Sequence, residues 1–98
     1  MAYKLTWAPS AILDLKDIFS FIAESSPQNS IRFIKSIFQQ VEQITNFPKS
    51  GRIVPEFDDP VIREIIRKPC RIIYRLKSDD SIIEIVRIWH AARGLPQI

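Results

Sequence analysis

The chain has 98 residues, the length of one domain with a modest core, so we expect a single domain spanning residues 1–98. Hydrophobic residues make up 46% and charged residues 26%, which is usual for a globular protein and excludes a disordered chain. The longest uncharged stretch, 5–13, is far shorter than the roughly 20 residues of a membrane span, and the lone Cys70 excludes an internal disulfide, so we expect a cytoplasmic protein without membrane contact.

The first half of the chain carries the patterns of one strand and two helices. Residues 3–7 alternate large apolar with polar side chains, as in a half-buried strand. Apolar residues recur at helical spacing from 11 to 23 and again from about 33 to 47. Ser26 and Pro27 suit the N-cap and first residue of the second helix, and Pro48 ends it. Because the break between them is short, the two helices should form an antiparallel hairpin.

The second half is rich in β-forming residues. Segment 51–60 has the composition of a loop, with a short strand around Ile53, and three β-rich runs follow at 61–67, 70–77 and 82–89. A polar turn at 78–81 separates the last two runs, and the tail from 91 to 98 has no periodicity. We therefore predict an α+β fold of order β-α-α-β-β-β, in which the helical hairpin covers one face of a small antiparallel sheet.

Positive charge is concentrated in the predicted sheet. Seven of the eight arginines follow residue 50, and the segment 63–77 holds six basic residues and one acidic residue, a local charge of +5. Arg71 and Arg75 should point to the uncovered face of their strand, and Arg63 and Arg67 share one side of the preceding strand. If the strand register aligns them, these arginines form one basic surface. Such a surface is either a face for anions or nucleic acid or a solvated strand face, and the sequence leaves both open.

The residues that build common catalytic sites are scarce. With one cysteine and one histidine the sequence does not supply a zinc site, and two glycines do not make a phosphate-binding loop. We therefore expect no metal and no cofactor. Nothing around Cys70 marks it as reactive, and it is best interpreted as a buried strand cysteine.

His90, at the end of the last strand, has two interpretations. It could act as general acid or base in RNA cleavage, with arginines stabilising the phosphate. It could instead cap the strand or bond to a backbone group, and the spacing favours this structural role. The residues of the hypothetical nuclease site are Arg71, Arg75, His90 and Arg93, with Glu56 as a second acid–base group.

Two aromatic residues of the helices, Phe21 and Phe33, lie off the main apolar stripes. They either hold the two helices together or form an exposed strip that awaits a helix of a partner protein. The sequence leaves both possibilities open.

The chain resembles the RelE/ParE superfamily of bacterial type II toxin–antitoxin toxins. The resemblance spans nearly the whole chain and depends on the order and spacing of short segments. These are the first strand at 3–7, PSAILDL at 9–15, FP at 47–48, GR at 51–52, REI at 63–65, RIIYR at 71–75 and IVRIWHAAR at 85–93.

The resemblance implies a toxin that a cognate antitoxin neutralises. ParE-like relatives are described as inhibitors of DNA gyrase that act by binding, and RelE-like relatives as nucleases that cut mRNA on the ribosome with basic residues and a C-terminal tyrosine. Here Ala91 follows His90 and no tyrosine follows Tyr74, and the helical hairpin is long, so the ParE-like branch is favoured. The alternatives are a ribosome-dependent mRNA endoribonuclease using Arg71, Arg75, His90 and Arg93, and a degenerate toxin that retains only antitoxin binding.

The resemblance also implies where the antitoxin binds. A helix and an extended segment of the antitoxin should cover the apolar hairpin and the basic sheet, with acidic antitoxin residues meeting the arginines. The residues expected in this interface are Phe19, Phe21, Phe33, Ile37, Arg63, Arg67 and Arg75.

Overall fold

A computed structural model describes residues 3–77 and 81–98 of the chain. Two helices and five strands follow one another in the order β1 (Lys4–Trp7), α1 (Pro9–Ser25), α2 (Pro27–Asn46), β2 (Arg52–Ile53), β3 (Ile62–Arg67), β4 (Cys70–Lys77) and β5 (Ile82–His90), and a short 3-10 helix (Ala91–Arg93) ends the fold. The predicted α+β architecture, with a strand and then a helical hairpin before the other strands, is confirmed. Most of the turn predicted at 78–81 lies outside the described residues.

Local sequence signals account for the helical hairpin. Ser26 is the only residue between the helices, and its Oγ accepts a hydrogen bond from the Asn29 N–H at 3.2 Å, which caps α2. Pro27 occupies the first helical position, as predicted. The buried residues of α2 recur at intervals of three and four and pack on the sheet: Ser30, Phe33, Ile37, Val41 and Ile44.

The sheet is mixed rather than antiparallel. Its strand order is β1-β5-β4-β3-β2, and β2 to β5 form the predicted antiparallel meander. In contrast, β1 pairs with β5 in parallel, from Lys4 opposite Ile82 to Trp7 opposite Ile85. After the helical hairpin the chain begins the meander at the far edge of the sheet. Three reversals then bring β5 back beside β1 in the same direction.

Both faces of the sheet hold apolar clusters. The helix-covered face carries the main core, to which β4 contributes Ile72, Tyr74 and Leu76, as the alternation predicts. The opposite face, called the open face below, carries a smaller cluster formed by Val54, Ile62, Ile73, Val86 and Trp89, with Phe57 packed against it. The expectation of an uncovered face without a core is therefore wrong, because the loop after β2 folds over that face.

The strand register places two of the predicted basic residues beside the main core. Arg63 lies opposite Tyr74 and Arg67 lies opposite Cys70 in the β3–β4 pair. Residues that are directly opposite in an antiparallel pair share a face, and Tyr74 and Cys70 belong to the main core. Arg63 and Arg67 thus lie on the helix-covered face, at the margin of the sheet.

The other two predicted basic residues lie on the open face. Arg71 is opposite Trp89, which belongs to the open-face cluster, and Arg75 is opposite Glu84. The condition for one continuous basic surface, a register that aligns these arginines, is therefore not met. In the β3–β4 register, the arginines of β3 are opposite residues of the helix-covered face and those of β4 are opposite residues of the open face, so the two sets point to opposite faces.

Candidate functional site

An apolar groove of about 670 Å³ opens between α1, the first two turns of α2 and the adjoining ends of β4 and β5. The Phe21 side chain is 71% exposed and forms part of the α1 wall, while Phe33 on α2 is nearly buried. The apolar lining consists of Ile18, Phe21, Ile22, Phe33, Pro69, Cys70, Ile88 and Ala92. An exposed aromatic ring above an apolar floor can receive the apolar face of another protein's helix.

Four ionisable side chains also line the groove: Asp14, Asp17, His90 and Arg93. Among them Asp14 is 5% exposed and is held in a dense set of hydrogen bonds. Its Oδ2 accepts from the Ile88 N–H at 3.0 Å and from Arg87 Nε at 2.8 Å. Its Oδ1 accepts from Arg87 Nη2 at 2.9 Å and from Arg93 Nη1 at 3.2 Å. The carboxylate is therefore compensated by two guanidinium groups.

The position of Asp14 follows from where β1 ends. Pairing between β1 and β5 stops at Ile85, so within the described part of the chain the following residues of β5 have no neighbouring strand on that side. Two side chains of α1 instead bond to the backbone groups of β5 along this edge. Ser10 Oγ donates to the Val86 carbonyl at 2.8 Å, and Asp14 accepts from the Ile88 N–H. This arrangement fixes α1 against β5 and so sets one wall of the groove.

Trp89 anchors the C-terminal segment on the other side of the same strand. The guanidinium carbons of Arg87 and Arg93 lie 4.7 Å and 4.2 Å from the centre of its ring, which is cation–π distance. The indole Nε1 donates to the Gly94 carbonyl at 3.0 Å. Arg93 is thus held by Asp14 and Trp89 together.

His90 lies on the groove side of the sheet and bonds to the backbone. It is opposite Cys70 in the β4–β5 pair, and its Nδ1 accepts a hydrogen bond from the Ala92 N–H at 3.0 Å, which caps the 3-10 helix. His90 thus bonds to a backbone group through one of its two ring nitrogens, which is the contact that the structural interpretation expects. Burial raises the pKa of the neighbouring Cys70 thiol to about 11, as expected for a buried strand cysteine.

Arg71 is engaged by two carboxylates on the open face. Its Nη1 and Nη2 donate to Glu56 at 2.9 Å and 2.7 Å, and its Nε donates to Glu64. Glu64 is buried, and its other oxygen accepts from Arg52 Nε at 2.6 Å. The hydrogen bonds from Arg71 lower the pKa of Glu56 to about 2, and the same bonds raise the pKa of Arg71. The group is a closed ion-pair network with its charges compensated.

Arg75 has a weaker partner on the same face. Its Nη1 lies 3.4 Å from Glu84 Oε1, and Lys77 Nζ lies 3.6 Å from the same oxygen. The one carboxylate therefore serves two cations that are both partly exposed to solvent.

The residues predicted for a nuclease site do not converge. His90 and Arg93 meet at the groove, whereas Arg71 and Arg75 lie on the open face. Glu56, considered as a second acid–base group, is bound to Arg71. The sheet separates His90 from Arg71 and Arg75, while Arg93 lies at the edge of β5, where it contacts both Asp14 and Trp89 of the open-face cluster.

The residues expected to bind an antitoxin also divide into groups. Phe21 and Phe33 line the groove, while Phe19 is partly exposed on α1 but is not among the groove residues. Ile37 is completely buried in the main core, so its expected place in a surface contact is wrong. The reason is that Ile37 lies at the centre of the α2 stripe that faces the sheet. Arg63 and Arg67 lie at the margin of the helix-covered face, and Arg75 is on the open face.

Two carboxylates that organise the molecule, Asp14 and Glu64, were missed in the sequence. Asp14 does carry a signal, because it lies three residues after Ala11 and four before Ile18, on the buried face of α1. A charged residue within an apolar stripe indicates a buried ion pair. Glu64 shares one face of β3 with Ile62 and Ile66, while Arg63, Ile65 and Arg67 occupy the other, so apolar residues on both faces leave the buried face of this short strand undecided.

A family model described as "ParE toxin of type II toxin-antitoxin system, parDE" matches residues 5–95. The chain belongs to this family. It is therefore the toxin of a type II toxin–antitoxin system, as the resemblance predicted. No helix among residues 3–77 and 81–98 is long and apolar enough to cross a membrane, and these residues contain no cluster of three or more potential metal ligands.

Individual relatives agree with the family. Toxin RelE2 of Caulobacter vibrioides is 29% identical over 90 residues, which cover 92% of this chain and 97% of the relative. The fold is similar to a structure described as the chromosomal ParDE system of P. aeruginosa, with a TM-score of 0.72, 24% identity and coverage of 91% and 96% of the two chains. It is also similar to the intact E. coli RelBE complex, with a TM-score of 0.65, 13% identity and coverage of 92% and 98%.

Proposed function

We propose that this toxin acts in the cytoplasm by binding and inhibiting DNA gyrase, without cutting nucleic acid. The observation that supports the proposal is the compensation of Arg71 by Glu56 and Glu64 on the face opposite His90. Cleavage of a phosphodiester requires cations aimed at the charge that develops in the transition state. A guanidinium whose Nε, Nη1 and Nη2 all donate to carboxylates is poorly suited to that task.

A second candidate function is cleavage of mRNA. His90 and Arg93 share the groove, and a relative with 29% identity is named RelE2. However, His90 Nδ1 is occupied by a backbone N–H, and Arg93 is held by Asp14. The bond at Nδ1 leaves Nε2 of His90 for proton transfer, but Arg93 would need to leave Asp14 to act on a phosphate, so this function ranks second.

We further propose that the groove receives the antitoxin. The exposed Phe21 ring and the apolar floor suit the apolar face of an amphipathic helix, which buries side chains at intervals of three and four residues. One of the similar folds was determined as an intact toxin–antitoxin complex, which is consistent with such a partner. Phe21 and Phe33 are then the central contacts, and Asp17 and Arg93 lie at the polar margin.

Two assays on the purified full chain test the proposed target. In the first, gyrase supercoils relaxed plasmid in the presence of increasing toxin; in the second, ribosomes translate a defined mRNA whose cleavage is mapped. We expect blocked supercoiling with intact mRNA. Cleaved mRNA with normal supercoiling at large toxin excess would establish the nuclease instead, and no effect in either assay would indicate a degenerate toxin.

Matched variants sharpen the test. His90→Ala and Arg71→Ala remove the two groups that the nuclease hypothesis needs most, and antitoxin affinity reports whether each variant still folds. If inhibition depends on binding, both variants should keep supercoiling inhibition within a few-fold of the wild type. Loss of toxicity in both, with antitoxin affinity unchanged, would contradict the proposal.

A further inference from the structure

The structure divides the eight arginines into two sets. Five of them contact a carboxylate within 4.0 Å, namely Arg52, Arg71, Arg75, Arg87 and Arg93. Among the described residues no carboxylate lies within that distance of the other three, Arg32, Arg63 and Arg67. The five compensated arginines lie in the open-face networks and around Asp14. The three uncompensated ones lie on α2 and β3.

Two of the uncompensated arginines, Arg63 and Arg67, lie on β3, and the third, Arg32, lies on α2. Arg63 and Arg67 share one face of β3, and four residues of extended chain separate them by about 13 Å. Arg67 Nε donates to Ser36 Oγ on α2 at 2.8 Å. Arg32 is one helical turn before Ser36 on the same side of α2, and Lys68 directly follows Arg67. These four cations, Arg32, Arg63, Arg67 and Lys68, are called the α2–β3 edge below.

The two arginines of β3 are oriented without being neutralised. Arg67 lies over the Phe33 ring at 5.0 Å, and its Nη1 donates to the Lys68 carbonyl at 2.9 Å. Arg63 donates from Nε to the Pro60 carbonyl at 3.1 Å and from Nη1 to the Gly51 carbonyl at 2.9 Å. All these acceptors are uncharged. Each guanidinium therefore keeps its full charge, and its Nη2 has no partner among the described residues.

We infer that the α2–β3 edge binds the phosphate backbone of duplex DNA. Fixed guanidinium groups suit phosphate oxygens, and uncompensated charge retains its attraction for a polyanion. The backbone positions of Arg63 and Arg67 are about 13 Å apart, which is comparable to the width of the major groove of B-DNA, about 12 Å. Neither arginine is among the residues that line the groove proposed for the antitoxin, although Arg67 borders it through Phe33.

The charge is not even along the edge. Asp58 and Asp59 precede β3 in the loop that leads to Arg63, so the potential there is less positive. The other end, with Arg32, Arg67 and Lys68, should contribute most to binding. The inference extends the proposed function, since gyrase works on DNA, but it concerns contact between the toxin and DNA and is testable without gyrase.

The test measures the affinity of the full chain for a short labelled duplex by fluorescence anisotropy over a range of salt concentrations. Arg32→Gln/Lys68→Gln removes two charges, and neither side chain makes an internal hydrogen bond among the described residues, so the fold should be retained. Log affinity falls with log salt, and each lost phosphate contact makes this slope less steep by about 0.9. We therefore expect the steepness of the slope to decrease by nearly two in this variant. The matched control, Lys4→Gln/Lys16→Gln, makes the same change in net charge on β1 and α1 and should lower the slope much less.

Arg67→Gln provides a third measurement, at the centre of the α2–β3 edge. It should make the slope of log affinity against log salt less steep by about 0.9. Absence of DNA binding by the wild type would overturn the inference, and so would equal losses in the edge variant and the control. A loss of antitoxin affinity in Arg32→Gln/Lys68→Gln, without DNA binding by the wild type, would assign the edge to the antitoxin instead. Because gyrase is absent from this assay, a failed gyrase proposal would leave its result unchanged.

Discussion

The carboxylate of Asp14 on α1 accepts the backbone N–H of Ile88 on β5 at 3.0 Å, across 74 positions of the sequence. Through this bond a side chain replaces the strand that is missing beyond the end of β1. The same carboxylate holds Arg87 and Arg93. One residue thus joins the first helix, the free edge of the last strand and the C-terminal segment, and it determines the shape of the groove.

Asp14→Asn should destabilise the toxin strongly. The substitution removes the charge that compensates Arg87 and Arg93 but retains the size of the side chain. Breaking a buried ion pair by removing one partner costs about 3–5 kcal/mol, and since Arg93 is half exposed we expect about 2–4 kcal/mol. The free energy of unfolding in urea measures this loss. Asp17→Asn, on the exposed side of the same helix, is the control and should change the stability little; equal effects would contradict the role of Asp14.

Tyr74→Phe should loosen the connection between α2 and the sheet. The buried hydroxyl donates to the Pro48 carbonyl at 2.8 Å and accepts from the Gly51 N–H at 3.0 Å, so its removal leaves two backbone groups without their partner. We expect a loss of about 1–3 kcal/mol in the free energy of unfolding. Gly51→Ala should also destabilise this loop, because a Cβ there would lie 2.5 Å from the tyrosine oxygen and 2.6 Å from the Glu64 carbonyl oxygen. Wild-type stability in both variants would show that this contact does not hold the loop.

Stability should decrease in acid through Glu56. Its pKa is about 2 in the folded toxin, below the ordinary value of 4.5, because Arg71 donates hydrogen bonds to the charged form. A lowered folded pKa contributes stability that is present above pH 4.5 and is lost as the pH falls toward 2. Unfolding free energies of the wild type and Glu56→Gln over this range measure the contribution. The difference between the two proteins should shrink as the pH falls, and a constant difference would contradict the ion pair with Arg71.

Phe21→Ala should weaken antitoxin binding without unfolding the toxin. The ring is 71% exposed in the free chain and would become buried under the bound helix. Removing a central aromatic contact costs about 2 kcal/mol or more, which is a decrease in affinity of about 30-fold. Isothermal titration with the antitoxin measures the effect. Phe47→Ala is a close control, since Phe47 is 68% exposed but lies outside the groove, and equal losses in both variants would place the antitoxin elsewhere.

Local features of the sequence determined the elements of this protein. The cap at Ser26, the proline after it and the apolar spacing of α2 act within a few residues, so the helical hairpin was predictable. The strand expected at 70–77 coincides with β4 for the same reason, since its alternation is a local property. The interpretation of His90 as a cap also required only the next two residues.

Contacts between distant segments were decided only by the tertiary structure. The parallel pairing of β1 with β5, the bond from Asp14 to Ile88 and the burial of Ile37 each depend on how the hairpin packs on the sheet. The register between β3 and β4 had the largest consequence, because a shift of one residue exchanges the two faces of a strand. That register separated the arginines of β3 from those of β4. Among residues 3–77 and 81–98 it left the β3 set on the helix-covered face without a carboxylate within 4.0 Å and placed the β4 set in ion pairs, a division that the order of residues along the chain does not reveal.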